Sequence, residues 1–188
     1  MKNPALLIVD VQEGMFENNL PEKIHEGPRL IRKVAGLLQL FRTLELPVIY
    51  IQHNGPKGHV LEPGTSGHQI ASTIAPQAQE PVFQKTKADS FYKTDLQVFL
   101  TENNVQTLIL CGAQTDYCVD TTCRSAAAKD FNVVLAADAH STWNRSFITA
   151  EQIIEHHNAI IGGSFGQSIL VEDIERQLVD KGEPLNNF

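Results

Sequence analysis

Short runs of aliphatic and β-branched residues alternate along this chain with longer stretches whose apolar residues recur every three or four positions, and that alternation fixes the fold class. Ala5 to Val9 is continuously apolar and closes on Asp10, the pattern of a strand buried on both faces. Beyond Pro28, the residues Leu30, Val34, Leu37, Leu38 and Phe41 share one face of a helix. Further strands are expected at 47–52, 81–85, 107–111, 133–137 and 168–171. Between them, Leu96, Phe99 and Leu100 mark one helix and the alanine-rich stretch from Ser125 to Lys129 another. Ile153, Ile154 and His157 mark a third, and one more begins at Glu172.

Strand–helix–strand repeated this often predicts a parallel sheet with helices on both faces. Right-handed crossovers then favour a three-layer Rossmann-like α/β fold with six parallel strands in the order 3-2-1-4-5-6. A length of 188 residues suits one domain, spanning 1–188. In that order strands one and four are neighbours where the winding reverses, and ligands bind beyond their carboxyl ends. Asp10 and the segment Gly112–Cys118 therefore fall at the expected site.

Composition narrows the partners. The net charge is −7 and no basic block exceeds two residues, which argues against nucleic acid and anionic membranes and for a small-molecule substrate. The run Ala5–Val9 is too short for a signal peptide or a membrane span. Cys111, Cys118 and Cys123 match no CxxC pattern and no disulfide framework, so a cytoplasmic, reducing location is expected. No cofactor is expected either. A P-loop and an HExxH motif are missing, and Gly162, Gly163 and Gly166 half-match a dinucleotide fingerprint in the wrong context, after a helix and before a strand. The long connection from His53 to Glu80 reads as a lid, binding loop or interface segment, and the tail from Asp180 to Phe188 as loosely held or packed on another subunit.

Three residues carry the chemistry. Cys118 lies just past a buried strand at the start of a helix, where the dipole and unpaired N–H groups lower a thiol pKa and can hold an oxyanion. A plain core cysteine is the alternative. Asp10 ends an apolar strand, where a carboxylate is costly unless paired or serving as a cap. Lys85 closes the third strand, either as a solvated edge charge or as the cation that a thiolate needs. Topology brings the three toward one crevice.

These residues sit in segments that resemble the isochorismatase-like cysteine hydrolase superfamily, which includes nicotinamidases and N-carbamoylsarcosine amidohydrolase. Leu7-Ile-Val-Asp10-Val-Gln12 is similar to the first-strand motif with its catalytic Asp, and Lys85-Thr-Lys-Ala-Asp-Ser-Phe91 to a K-x5-F segment whose first Lys is catalytic. Gly112 to Val119, with Arg124 and Ala127, resembles the nucleophile motif, and Ala137-Asp138-Ala139 the segment after strand five. Lys85 stands six residues before Phe91 and Lys87 only four, so the resemblance selects Lys85. It implies a Cys118 nucleophile, Asp10 as proton acceptor and donor, and Lys85 stabilising the charges. It further implies an oxyanion hole from the N–H groups of Gln114 and Cys118, a cis peptide between Ala113 and Gln114, and a homo-oligomer, dimer or tetramer.

Nicotinamidases hold zinc with a D-x-H…H cluster after strand two. The corresponding stretch here offers His53, His59 and His68 but no Asp between Gln52 and His68, so no metal is expected. Pocket walls are expected from Gln12, Phe16, Gln52, His53, Phe91, Tyr117, His140 and Trp143, all at strand ends or in adjoining loops. The expected activity is hydrolysis of a small amide, ureide or carbamoyl C–N bond through a thioester. An enol-ether hydrolase acting on an isochorismate-like compound and a non-catalytic binding protein on the same fold are the alternatives.

Overall fold

A computed structural model describes residues 1–16 and 23–179. The tail from Asp180 onward lies outside the described residues. The elements are β1 (Pro4–Val9), α1 (Gly27–Thr43), β2 (Val48–His53), β3 (Val82–Lys85), α2 (Leu96–Glu102) and β4 (Thr107–Ala113). They continue with α3 (Asp120–Ala127), β5 (Asn132–Ser141), α4 (Ala150–Ile160), β6 (Gln167–Ile169) and α5 (Val171–Val179). All six strands are parallel, in the order β3-β2-β1-β4-β5-β6. This is the expected order.

Strand β1 divides the core. Leu6 and Ile8 point to one face, where they join Val34, Leu37 and Phe41 of α1 and Ile174 of α5. Ala5, Leu7 and Val9 point to the other, with Leu96 and Leu100 of α2 and Cys123 and Ala126 of α3. A strand covered on both faces has no polar alternation, which is why β1 reads as an unbroken apolar run. Helix α1 opens with Gly27-Pro28, where the proline lacks only an N–H that would be unpaired anyway. Thr149 and Gln152 form a reciprocal capping box at the start of α4.

Strand β5 runs to Ser141, well past its apolar stretch. Its register with β4 jumps, Leu110 facing Leu135 while Gly112 faces His140, so extra residues bulge between. Within the bulge Asp138 pairs with Lys33 and accepts from the N–H of Val171 at 2.9 Å. The long connection from His53 to Glu80 is tied down. Its second half lies antiparallel to the turn after β1, with Gln12 bridging Ile70 and the N–H groups of Glu13 and Gly14 donating to Gln69 and Gly67. Among the described residues no helix is long and apolar enough to cross a membrane.

Candidate active site

The carboxyl ends of four adjacent strands meet at one point. In sheet order, β3 delivers Lys85, β2 delivers His53, β1 leads into Asp10, and β4 leads through Ala113–Gln114 into the turn carrying Cys118. Asp10 sits in the left-handed region at φ +50°, where the chain turns out of the strand while its N–H still donates to Ile51. Gly112 makes the close approach of β4 possible. Its φ is +122°, and a Cβ there would lie 2.0 Å from the carbonyl oxygen of Val9. The Ala113–Gln114 peptide is cis. Thr115–Val119 then forms a π-helical turn continuous with α3, which puts Cys118 near the start of a helical run.

Lys85 is the hub. Its Nζ lies 2.6 Å from Asp10 Oδ2, 3.1 Å from Cys118 Sγ and 3.4 Å from His53 Nδ1. The Lys85 and Asp10 side chains are fully buried, and Cys118 is half-buried. Burial works against the ammonium, but the charge of the Asp10 carboxylate outweighs it and raises Lys85 above its ordinary value. The thiol behaves differently from the sequence expectation. Burial, then the Asp10 charge, push Cys118 up to about 12 against the pull of Lys85. A thiol so raised holds its proton, and the Asp10 carboxylate beside it, within 4.8 Å, has one oxygen, Oδ1, that is buried and without a hydrogen-bond partner among the described residues.

The other expected residues divide. His53 belongs to the cluster, its ring nitrogen within 4.8 Å of the Asp10 carboxylate and the thiol. Gln114 adjoins the nucleophile turn, its carbonyl accepting from the N–H groups of Tyr117 and Val119. Tyr117 is exposed, with the Arg145 guanidinium 5.2 Å from its ring centre. Gln12 is fully buried. Its amide nitrogen donates to the carbonyls of His53 and His68, and its oxygen accepts from the His53 N–H, so it braces the wall from behind. Gln52 likewise donates to the His68 carbonyl at 2.8 Å and accepts from Gln84 at 3.1 Å. Phe91 is buried in the core against Phe131, and Phe16 and Trp143 pack on the opposite core.

His140 is interior as well. Asn158 Nδ2 donates to Ala137, so Asn158 Oδ1 accepts from His140 Nε2 at 3.0 Å and leaves Nδ1 to accept from Thr115 Oγ1 at 2.8 Å. This ties α4 and β5 to the residue after Gln114. Burial pulls His140 down to about 4. A histidine held neutral binds fewer protons folded than unfolded, so its contribution is full above about 6.5 and is lost as pH falls toward its folded value. Urea unfolding should show wild type losing on the order of 3 kcal/mol more than His140→Gln between pH 7 and pH 4. Equal losses would contradict a neutral, buried His140.

One group was not legible in the sequence. Arg145 donates to Asp116 Oδ2 at 2.7 Å and to Gln114 Oε1 at 3.2 Å, while Thr142 Oγ1 donates to Asp116 Oδ1 at 2.6 Å. It ties the loop after β5 to the turn that carries the thiol. No periodicity or motif marks it.

Asp10, His53 and Cys118 are the one group of potential metal ligands among the described residues. Their three atoms already converge on the Lys85 ammonium. A divalent cation at the same point would meet a buried positive charge, so the cluster does not fit a metal. His68 faces Asn54 Oδ1 at 2.7 Å, and His59 Nδ1 accepts from the Leu61 N–H at 3.1 Å.

The doubly wound parallel sheet carries a buried carboxylate and ammonium beside a half-buried thiol at its winding reversal. The profile of the Isochorismatase domain matches residues 4–157, and the chain belongs to the isochorismatase family. It is 35% identical over 140 residues to a streptothricin hydrolase of Streptomyces noursei, covering 74% of this chain and 50% of the relative. The chain thus matches about half the length of these streptothricin hydrolases, 50% and 55% for two of them. A maleamate amidohydrolase of Pseudomonas putida is 27% identical over 159 residues, covering 74% of this chain and 75% of that one. The crystal structure of an isochorismatase family protein superposes with a TM-score of 0.82 at 34% identity, covering 89% of this chain and 98% of that chain.

Proposed function

We propose that this protein is a cysteine-dependent hydrolase of a small amide, ureide or carbamoyl C–N bond. The observation that carries the reading is the Lys85 ammonium in simultaneous contact with Asp10 and Cys118, with Asp10 Oδ1 left unpartnered. A relative named maleamate amidohydrolase supports the same bond class.

In this reading Asp10 takes the thiol proton as Sγ attacks the substrate carbonyl carbon. Lys85 stays protonated throughout and offsets the charge as it passes from Asp10 through sulfur to the carbonyl oxygen. The oxyanion is held by the N–H groups of Gln114 and Cys118, at the turn where β4 passes into the helical run. Collapse breaks the C–N bond, and Asp10 returns its proton to the departing nitrogen. Ammonia or an amine leaves and a thioester remains on Cys118. Water then adds to the thioester with Asp10 again as base, the carboxylic or carbamic acid departs, and the thiol is restored.

Ammonia release from a panel of small primary amides, ureides and N-carbamoyl compounds tests the reading. Turnover of at least one class is expected, and it should survive dialysis against a chelator. Activity lost on dialysis and restored by zinc would overturn the metal-free mechanism. A panel without turnover, beside hydrolysis of an enol ether, would overturn the bond class.

A further inference from the structure

An ammonium has three N–H donors, and at Lys85 each meets an acceptor. Asp10 Oδ2 and Cys118 Sγ take two, and His53 Nδ1 takes the third at 3.4 Å. The Lys85 side chain is fully buried, so no water competes for these positions. An imidazole nitrogen can accept only when it carries no proton, so this contact requires a neutral ring with its proton on Nε2.

The chain holds His53 there from two sides. His53 stands opposite Lys85 in the β2–β3 register. The Gln12 carboxamide grips both backbone groups of the same residue, accepting from its N–H at 2.8 Å and donating to its carbonyl at 3.1 Å. Gln12 is two residues beyond Asp10, so one turn after β1 supplies both a partner of Lys85 and the brace for another. The groups facing the ring are Lys85 from β3, Asp10 from β1, Cys118 from the nucleophile turn, and His59 and His68 from the long loop. Burial, then the Lys85 charge, hold His53 below its ordinary value, and only Asp10 opposes them.

We propose that His53 is a positioning residue of the reaction centre: as a neutral ring clamped by Gln12, it accepts the third N–H of Lys85 and so fixes the direction in which the ammonium faces Asp10 and Cys118. The inference deepens the hydrolase reading and rests on Asp10, Lys85 and Cys118 being its reaction centre.

Two measurements test it. The first is a nitrogen-detected NMR titration of His53 in the wild-type chain, its resonance assigned by its loss in His53→Asn, and repeated in Lys85→Met. The ring should be the Nε2–H tautomer at pH 7 and should titrate below about 6.5, moving upward when the neighbouring cation is removed. The Nδ1–H tautomer, or an ordinary midpoint unchanged in Lys85→Met, overturns the proposal. The wild-type tautomer decides the matter even where a variant does not fold.

The second uses 4-nitrophenyl acetate, whose acetyl group passes to Cys118 Sγ as 4-nitrophenoxide leaves and Asp10 takes the thiol proton. Acetylation should fall off in acid at the pH where His53 titrates. His53→Asn, which keeps an acceptor without titrating, should stay within about tenfold of wild type and lose that acid limb. His53→Leu should fall about a hundredfold, the cost of a misdirected group. Equal rates for Asn and Leu, or an acid limb that persists in His53→Asn, overturn the positioning role. Absence of Cys118 acetylation in every variant, beside the expected tautomer and titration, counts against the cysteine-hydrolase reading and supports the His53–Lys85 contact.

Discussion

Replacing Cys118 by alanine is expected to lower turnover by a factor on the order of 10⁴ or more while leaving the protein folded, because removing a nucleophile removes the whole covalent route. The side chain is half-buried at a turn, so the stability cost should be small, about 1 kcal/mol. Cys111 and Cys123 serve as internal controls. Both are buried in the core, and burial raises both thiols far above their ordinary value. Their replacement by alanine should cost stability and spare the chemistry. An alanine variant at 118 that keeps wild-type turnover would remove sulfur from the mechanism and favour enol-ether cleavage. Circular dichroism and a denaturant midpoint separate loss of chemistry from loss of fold.

Lys85→Met should damage both. It leaves Asp10 as an unpaired buried carboxylate, and removing one member of such a pair costs about 3–5 kcal/mol. It also removes the cation that faces the thiol, so turnover should drop by about 10³-fold even in the folded fraction. Lys87 is the control from the same segment. It is exposed, and Lys87→Ala should shift stability by no more than about 0.5 kcal/mol and leave turnover unchanged. Urea midpoints with turnover measured on the same samples decide it, and equal effects at the two positions would contradict Lys85 as the hub.

The arrangement explains why a thiol pushed up to about 12 can still serve as a nucleophile. The resting state keeps its charges where they are paired, on Asp10 and Lys85 at 2.6 Å. A free thiolate is never needed in bulk, because the proton moves to a carboxylate already in place as the S–C bond forms. Lys85 touches both the group that gives up negative charge and the group that gains it. A lowered thiol pKa, as expected from the helix start alone, omits the burial and the adjacent carboxylate. Both act in the opposite direction, and burial is the larger.

Much of the fold was legible because strands buried on both faces leave an unmistakable mark. β1, β2 and β4 are apolar almost throughout, and α1 shows its buried stripe of Leu30, Val34, Leu37, Leu38 and Phe41. The end of β5 was not legible, since Asp138, His140 and Ser141 are polar and their place in a strand depends on Lys33, Thr115 and Asn158 from elsewhere. The same reason governs the site. Asp10, Lys85 and Cys118 stand at strand ends, where topology alone gives an address. Gln12, Gln52 and His140 share that address, but their hydrogen bonds turn inward to the backbone and to buried partners. Which way an amide or imidazole faces is settled by long-range contacts, and no local spacing encodes it. Arg145 lacked even an address, because it reaches Asp116 and Gln114 from an irregular loop.

The most direct test of the central claim is a rapid-quench mass measurement of the acyl-enzyme. Wild-type protein is mixed with 4-nitrophenyl acetate, stopped in acid within milliseconds, digested, and the peptides containing Cys111, Cys118 and Cys123 are weighed. The expected result is one acetyl group per chain, confined to the Cys118 peptide, formed in the burst and cleared on longer incubation. Nitrophenol released by wild type and Cys118→Ala alike, with no acetyl group on the wild-type Cys118 peptide, would contradict a covalent cysteine mechanism.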